Sequence, residues 1–454
     1  MKIKVVHKNK DHILLAILFH IGLGIIAFIF RSIMMFYLIV IIFYFFKRIV
    51  TAAPKEKLVQ VLIACAYVTG SEVFFRMTKA YFLYETGKYL VILFVIIGFF
   101  YDGFKRKAIV FVSLLILLLP AIFVSSQELG YNVDFRKAVM FNLSGPICLI
   151  FISIYIYGKS ITYKDYLSVF NYIVYPLISM TTFIILYNPD IRDIVTNTAA
   201  NSAASGGYGP NQVATALGLG IFILFSRLII TYKNKFVQLL MIIFLAVMIY
   251  RGILTFSRGG ILTAIIMSLI FIVIYFIYSK ITLKFKLLVK LIGVLSMISL
   301  IWVISVNQSG GLIENRYANE DSLGREKDDI TTGRLDIFIT ELDSFYKQPF
   351  FGVGVGKMKY IRLKETGINA ASHNEFSRML SEHGLFGIIS LIILLLVPIL
   401  NNPFGLKNIY FYPFLFFWIL TISHSAMRIA APAFIYGLCL LTITREKKNF
   451  IHRK

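Results

Sequence analysis

Three polar motifs in this sequence contain residues whose types suit anion binding and proton transfer. Arg258 lies in Ser257-Arg258-Gly259-Gly260, which joins two apolar runs with almost no loop between them. Arg334 follows Gly333 at the start of a helical pattern, and His373 precedes Asn374 shortly before another apolar run. A guanidinium binds phosphate oxygens in bidentate fashion, whereas a neutral imidazole accepts a proton. Arg258, Arg334 and His373 are therefore the first candidates for anion binding and general-base catalysis.

Arg258 is predicted to lie at a membrane boundary, where a charged side chain is usually retained for a partner. A charge at the centre of a membrane helix costs about 2.5–3.5 kcal/mol on insertion scales. Arg251 lies seven residues earlier and therefore on nearly the same helical face. Two guanidiniums in a row suit a pyrophosphate, and Gly259 allows close backbone approach. The alternative is that both side chains snorkel to lipid headgroup phosphates.

An amphipathic helix of about four turns is predicted to begin at Arg334. Thr331 or Thr332 can cap it, apolar residues follow at spacings of three and four, and Gln348-Pro349 ends it. Arg334 then lies in the first turn, where the helix dipole attracts anions. The alternative is a surface arginine that pairs with Asp336 or Glu341.

His373 is predicted to lie at the start of a helix that leads into the span beginning near Gly384. The positive potential of a helix N-terminus favours the neutral imidazole, which is the form that a general base needs. The alternative is a histidine that caps the helix or bonds a backbone carbonyl. His383 lies ten residues further on and is interpreted as structural.

Other chemistry has weaker support in the sequence. The acidic pairs Glu320-Asp321 and Asp328-Asp329 lie in unpatterned polar sequence, which is typical of a solvated loop, and no metal or other cofactor is predicted. The run Gly352–Lys357 is not a phosphate loop, because Met358 stands where Ser or Thr is required. Cysteines occur only within apolar runs and are interpreted as small apolar residues.

Composition predicts a polytopic membrane protein around these motifs. The chain has 454 residues, of which 58% are hydrophobic and 15% charged. An all-α membrane helix bundle is predicted as a single domain over 1–454, with twelve to fourteen transmembrane helices. The fourteen predicted spans are 12–30, 33–46, 58–75, 88–100, 108–125, 138–157, 166–187, 212–230, 236–255, 260–279, 287–306, 384–400, 409–424 and 429–443.

The net charge of +23 is interpreted as a signal of topology. Lys and Arg concentrate in alternate loops, so the positive-inside rule predicts that both termini lie in the cytoplasm. The basic N-terminus is interpreted as an uncleaved membrane anchor. The other side then receives the loop from Tyr187 to Asn211, which includes Arg192, the turn at Arg258, and one large extracytoplasmic loop over 307–383. No nucleic-acid partner is needed to explain the charge.

Taken together, the motifs resemble those of the O-antigen ligase and polymerase superfamily of bacterial envelope enzymes. The resemblance covers about residues 208–400 and rests on 257–260, on Gly333-Arg334-x-x-x-Phe338, on Pro349-Phe350-x-Gly352-Val353-Gly354, and on His373-Asn374 with nine residues to Gly384-x-x-Gly387. Pro210-Asn211-x-x-Ala214 also looks like an asparagine-bearing segment of the family.

The resemblance implies a GT-C-like membrane glycosyltransferase of the bacterial cytoplasmic (inner) membrane, inverting and independent of metal. Arg258 and Arg334 would bind the pyrophosphate of an undecaprenyl-pyrophosphate-linked glycan donor, and His373 would deprotonate the acceptor hydroxyl. The acceptor is lipid A core in a ligase, a lipid-linked glycan in a repeat-unit polymerase, or a protein serine in a relative; the His-Asn spacing favours the ligase. Further residues expected to contact substrate are Arg251, Ser257, Gly259, Asn211, Asn374 and Arg192.

A polysaccharide flippase is the alternative from another class of protein. Such a transporter is expected to show internal repeats and ionisable residues along a central path. The sequence shows no repeat and few charges within spans, while one outer segment holds most of the polar chemistry. The enzyme is therefore favoured.

Overall fold

The computed structural model describes residues 8–128, 134–188, 190, 192–230, 234–329, 331, 333–367, 369–402 and 408–444. Within these ranges the chain forms seventeen α-helices and two strands of three residues. The predicted all-α class is therefore confirmed.

The helices follow the apolar runs of the sequence. In chain order they are α1 (Lys8–Ile29), α2 (Ile33–Thr51), α3 (Lys57–Met77), α4 (Thr86–Asp102), α5 (Ile109–Glu128), α6 (Phe135–Ile156), α7 (Tyr163–Tyr187), α8 (Pro210–Ile230), α9 (Lys235–Leu254), α10 (Arg258–Tyr278), α11 (Ile281–Gln308), α12 (Leu312–Ala318), α13 (Arg334–Lys347), α14 (Met358–Thr366), α15 (Glu375–Asn401), α16 (Phe411–His424) and α17 (Ala431–Cys439).

Eleven of the described helices are long and apolar enough to cross a membrane, namely α1–α3, α5–α11 and α15. The chain is thus a multi-pass membrane protein. The three other predicted spans coincide with the shorter helices α4, α16 and α17, which have 17, 14 and 9 residues. Since hydrocarbon offers no hydrogen-bond partner, the helix is the form that satisfies the backbone of such runs internally.

The centre of the bundle is formed by α3, α7 and α8, which are mostly buried within the protein, whereas most of α11 is not. Helix α3 packs along α7, and α8 packs along α10. The close approach of α8 and α10 depends on Gly260, because a Cβ at that position would lie 2.2 Å from the carbonyl carbon of Ala214. This contact brings the start of α10 against the start of α8.

At one end of the bundle, called here the basic end, several loops rich in Lys and Arg meet. Strand β1 (Ser160–Thr162) pairs in parallel with β2 (Thr442–Thr444), and the Lys159 ammonium donates to the carbonyl of Gly103 at 2.9 Å. The Lys57 ammonium lies 3.9 Å from the ring centroid of Tyr101, two residues before Gly103. The predicted grouping of these loops on one side agrees with these contacts. Lys233, Lys407, the segment 1–7 and the tail 445–454 lie outside the described residues.

The opposite end, called here the site end, gathers the loop 188–209, the turn 255–257, the segment 309–374 and the loop 425–430. The amide of Asn201 donates to the carbonyl of Thr255 at 3.1 Å, which joins the first two. The segment 309–374 contains the predicted amphipathic helix as α13. It also contains α12 and α14, two short helices that were not predicted from the sequence.

Candidate active site at the site end of the bundle

Arg258 is the first residue of α10 and follows a turn of only three residues. One amino group of its guanidinium, Nη1, lies 3.4 Å from the carbonyl oxygen of Arg316 in α12, to which it donates. Arg316 in turn donates through Nε to the carbonyl of Phe256 at 3.1 Å. Phe256 has a φ of 57°, in the left-handed region that costs a side-chain-bearing residue on the order of 1–3 kcal/mol. The strained turn and the two arginines therefore hold one another in place.

Arg334 approaches the same region from α13. Gly333 precedes it with a φ of 76°, and the Thr331 hydroxyl oxygen accepts a hydrogen bond from the amide of Leu335 at 3.2 Å. The N-cap position of α13 is occupied by Gly333, so Thr331 bonds the first turn from two residues further out and is not itself the N-cap. Thr332 lies outside the described residues. Arg334 is half-buried in the first turn.

The arginines raise the local positive potential, which contributes to a lowered pKa of Arg316 and of Arg334. Burial, and then the nearby Arg258 and Arg334, lower the pKa of Arg316. Burial and Arg258 also lower the pKa of Arg334. A lowered pKa means that the positive charge is costly here, and an anion with several oxygens would relieve that cost. We call Arg258, Arg316 and Arg334 the arginine cluster; Arg316 was not singled out from the sequence.

His373 lies in the last segment before α15, and its backbone is held from two sides. Its carbonyl accepts a hydrogen bond from the amide of Ala426 at 3.1 Å. The carbonyl of the preceding Ser372 accepts one from the Arg428 guanidinium at 2.7 Å. Across the described part of the chain, no hydrogen bond to the His373 ring is present. The ring is thus positioned through its backbone, and its nitrogens remain available for a substrate.

A buried ion pair below His373 fixes the same segment. Glu341 of α13 binds the Arg362 guanidinium of α14 at 2.6 Å, and both side chains are almost fully buried. Glu341 also accepts hydrogen bonds from the hydroxyls of Ser372 at 3.3 Å and Ser377 at 2.5 Å. Glu341 therefore does not pair with Arg334, which was one alternative drawn from the sequence. Its function in the structure is to tie α13 and α14 to the segment that carries His373.

The His373 imidazole is a neutral base over a wide pH range. Burial, and then the charges of Arg428, Arg334 and Arg362 and the nearby His424, lower its pKa to about 4. The sequence predicted a neutral ring from its position at a helix start. In the structure, burial of the imidazole is the main cause of its lowered pKa, and the charges of the nearby arginines lower that pKa further.

Asn374 and the glycines that follow it shape α15. The Asn374 side chain caps the helix by accepting from the amide of Phe376 at 2.9 Å. Gly384 breaks the helix with a φ of 57°, and a Cβ there would lie 2.5 Å from the carbonyl oxygen of Pro349. A Cβ at Gly387 would lie 1.9 Å from the carbonyl oxygen of Met379. The motifs at 349–354 and 384–387 therefore pack on each other and set the direction of α15.

The motifs at 210–214 and 257–260 also meet. The Ser257 hydroxyl donates to the Asn211 side-chain oxygen at 2.7 Å. A Cβ at Gly259 would lie 2.4 Å from Cδ2 of His424, so Gly259 makes room for that imidazole. His424 was not among the residues predicted from the sequence. The predicted substrate contacts at Ser257, Gly259 and Asn211 stay predictions, while the structure gives these residues a packing function.

Two of the predicted substrate-binding residues, Arg251 and Arg192, make contacts with other parts of the protein and not with the arginine cluster. Arg251 is buried in α9 and donates to the carbonyls of Asn188 at 2.9 Å and Ile185 at 3.4 Å, at the C-terminal end of α7. There its charge meets the negative end of the helix dipole. Arg192 is exposed on the loop 188–209, and its amide donates to Asp190. A substrate contact at either remains a prediction.

A buried cluster of four charges, from α3, from the residue before α4 and from the first turn of α4, supports the loop 425–430 and was not predicted from the sequence. Arg76 binds Glu72 at 2.6 Å, and Glu85 pairs with both Arg76 and Lys88. Glu72 accepts from the amide of Ala430 at 2.6 Å, and Lys88 donates to the carbonyl of Met427 at 3.2 Å. The signal in the sequence was opposite charges at spacings of four and three within apolar runs.

Comparison with known families decides the class of this region. Residues 243–392 match the family model described as O-antigen ligase. This region is an O-antigen ligase domain. The predicted superfamily is thereby confirmed, and the chain is a membrane enzyme of the O-antigen ligase or polymerase type.

The O-antigen ligase domain contains the arginine cluster, His373 and the kink at Gly384, and it lies within the predicted range 208–400. Asn211, Arg192, His424 and the charge cluster of α3 and α4 lie outside it. No curated protein matches the chain.

Proposed function

We propose that the chain is a glycosyltransferase that moves a glycan from undecaprenyl pyrophosphate to a hydroxyl of lipid A core. The observation that carries this proposal is the convergence of Arg258, Arg316 and Arg334 near a neutral His373 within an O-antigen ligase domain. The arginines would assist the departure of pyrophosphate, and His373 would activate the acceptor hydroxyl.

The arginine cluster suits the leaving group. Pyrophosphate gains negative charge as its bond to the sugar breaks, and fixed guanidiniums stabilise that charge in the transition state. Arg258 begins a membrane-spanning helix, so it lies where the polar end of a lipid-anchored pyrophosphate would be placed. Since the guanidiniums supply the positive charge, the proposed reaction proceeds without a divalent metal.

His373 would act on the acceptor. The acceptor oxygen forms a bond to the anomeric carbon as the bond from that carbon to the pyrophosphate oxygen breaks, and the hydroxyl proton passes to His373. Its low pKa keeps the ring unprotonated before the reaction. A single displacement of this kind inverts the anomeric centre.

The proposed orientation places the site end outside the cytoplasm of a bacterial inner membrane, with both chain termini inside. In this orientation the whole chain, 1–454, is one membrane domain and 307–383 is its large outer loop. Lys57 contacts Tyr101 and Lys159 contacts Gly103, next to β1 and β2, and this grouping at the basic end supports the orientation because basic loops are retained in the cytoplasm.

Transfer by purified protein in lipid vesicles tests the proposal. Given an undecaprenyl-pyrophosphate glycan and lipid A core, the wild type should transfer glycan in the presence of a chelator. His373→Ala should lose most turnover yet bind the donor, since the imidazole acts on the hydroxyl. Long ladders from the donor alone would identify a repeat-unit polymerase, and movement of lipid-linked glycan across the bilayer without transfer would identify a flippase.

A further inference from the structure

A polar cavity of about 440 Å³ lies beside the segment that carries His373. Its walls come from the first turns of α6, from the start of α14, and from Ala371 and Ser372. The helices of the arginine cluster, α10, α12 and α13, do not line it. The cavity is therefore separate from the proposed pyrophosphate site, although both adjoin the same short segment.

The walls of the cavity are fastened by buried polar contacts. Arg378 of α15 binds Glu382 at 2.9 Å and donates to the carbonyl of Asn142 in α6 at 3.1 Å. Glu382 also accepts from the amide of Gly356 at 2.9 Å. These contacts join α6, the turn before α14 that contains Gly356, and α15 in the wall of the cavity, so its shape is determined by the fold.

The cavity meets the proposed catalytic base at Ser372, the residue before His373. The Arg428 guanidinium donates to the Ser372 carbonyl at 2.7 Å and lies 5.7 Å from the ring centroid of Phe141, which is a cavity residue. A molecule in the cavity therefore lies next to the segment whose imidazole would receive a proton. The donor would be bound by the arginine cluster on α10, α12 and α13, so it would approach that imidazole from a different side of the protein than a molecule in the cavity.

The lining combines the groups that bind a charged sugar. The rings of Phe141 and Tyr360 are each 38% exposed and can pack against the C–H face of a sugar ring. Asn142 also lines the cavity, and its side-chain oxygen can accept a hydrogen bond from a sugar hydroxyl. Lys137 and Lys359 belong to different walls, α6 and α14, and among the described residues neither is in an ion pair.

Three further charged residues line the cavity among the described residues, namely Asp134, Arg378 and Glu382, and Arg378 and Glu382 pair with each other. Asp134 accepts from the amide of Lys137 at 3.0 Å as the cap of α6. With Arg378 and Glu382 paired, the two lysines outweigh Asp134, so the described lining carries a net positive charge. A volume of this size lies in the range of about 300–1,000 Å³ that is usual for small-molecule sites.

We infer that this cavity is the subsite for the acceptor glycan and that it prefers a saccharide bearing a carboxylate or phosphate group. The inference rests on the proposed transfer reaction, to which it adds the place and the charge of the acceptor. Lys137 and Lys359 would bind the anionic group, Phe141 and Tyr360 would hold the ring, and the reacting hydroxyl would point toward His373.

Direct binding tests the subsite without turnover. Calorimetry with purified protein would compare a glucuronate-terminated oligosaccharide with its methyl ester, which keeps the shape and removes the charge. The wild type should bind the acid at least tenfold more tightly than the ester. Lys359→Gln combined with Lys137→Gln should abolish that preference, whereas Lys364→Gln, on the same helix but outside the cavity, should keep it. Equal binding of acid and ester by the wild type would overturn the inference.

Kinetics then separate this inference from the proposed function. With an anionic acceptor, the Lys137→Gln and Lys359→Gln pair should raise the acceptor KM about tenfold and leave the donor KM unchanged. If the Lys137→Gln and Lys359→Gln double variant were active with an unchanged acceptor KM, the acceptor subsite would be overturned and the proposed transfer reaction would stand. A wild type that binds the acid in this cavity but transfers no glycan would overturn the proposed reaction and leave the binding site in place.

Discussion

The amide of Ala426 donates to the carbonyl of His373 across 3.1 Å, which links the last loop of the site end to the proposed catalytic base. Ala426 has a φ of 51°, an unfavourable conformation for a residue with a side chain. The flanking residues Met427 and Ala430 are held in turn by Lys88 and Glu72. The N-terminal helices, which lie outside the O-antigen ligase domain, thus position a residue within it.

Replacement of Arg428 should shift the pH dependence of transfer. Arg428 is the charge that contributes most, after burial, to the lowered pKa of His373. Removing a positive charge favours the protonated imidazole, so Arg428→Gln should raise that pKa above its value of about 4. The acidic limb of the kcat/KM profile should therefore move to higher pH, with less activity between that limb and neutrality. Arg428→Lys should lie closer to the wild type, and an unmoved limb would argue against His373 as the base.

Loss of Glu341 should destabilise the protein and lower its activity together. Glu341→Ala leaves the buried Arg362 without its partner, and breaking such a pair costs about 3–5 kcal/mol. We expect a lower thermal midpoint in detergent and a reduced kcat, because the hydrogen bonds to Ser372 and Ser377 disappear as well. The matched control is Asp336→Ala, because Asp336 is an exposed acidic residue on the same helix. This substitution should change neither the thermal midpoint nor kcat.

A methyl group at Gly384 should disrupt the kink of α15. Gly384→Ala places a Cβ 2.5 Å from the Pro349 carbonyl oxygen on a backbone with a φ of 57°. The helix would have to move, and with it the segment that begins at Asn374, so yield and transfer should both fall. Gly293→Ala in α11 has open space around its Cβ and should be neutral or stabilising by about 0.5–1 kcal/mol. Equal behaviour of the two variants would contradict the account of the kink.

The parts of the fold that depend on local pattern could be predicted from the sequence. Apolar runs predicted the spanning helices, and spacings of three and four predicted α13. Short motifs gave Arg258, Arg334 and His373 as candidates because their residue types stand out against an apolar background. The match over 243–392 confirms the superfamily to which these motifs pointed.

Contacts between distant positions could not be predicted in the same way. Arg316 reaches Phe256 across sixty positions of the chain, and its short helix has no periodic apolar pattern. Glu341 lies seven residues from Arg334 and thus near its helical face, yet it turns to Arg362 of another helix. Spacing gives the face of a helix, and only the packing of helices decides which partner meets that face.

The orientation of the bundle can be tested by cysteine labelling. The three native cysteines are buried, so background reaction should be low. Leu323→Cys lies in an exposed part of the segment 309–374, and Lys55→Cys lies at an exposed position of a short 3-10 helix (Pro54–Glu56) at the basic end. In intact cells an impermeant reagent should label the first and spare the second, whereas permeabilised cells should label both. Labelling of Lys55→Cys alone in intact cells would place the arginine cluster in the cytoplasm.

Removal of single arginines should separate charge from geometry in the arginine cluster. Arg258→Ala should lower kcat/KM by about 10²–10³-fold, the usual effect of losing one group that stabilises developing negative charge. Arg258→Lys should recover only part of this, because an ammonium makes no bidentate contact. Arg316→Ala should lower both activity and stability, since Arg316 also holds the strained turn at Phe256. Exposed Arg325→Ala is the control for net charge, and it should leave transfer unchanged. If Arg258→Ala retained full activity in a protein that still inserts, its guanidinium would have to be assigned to lipid headgroups, and the pyrophosphate site would have to lie elsewhere.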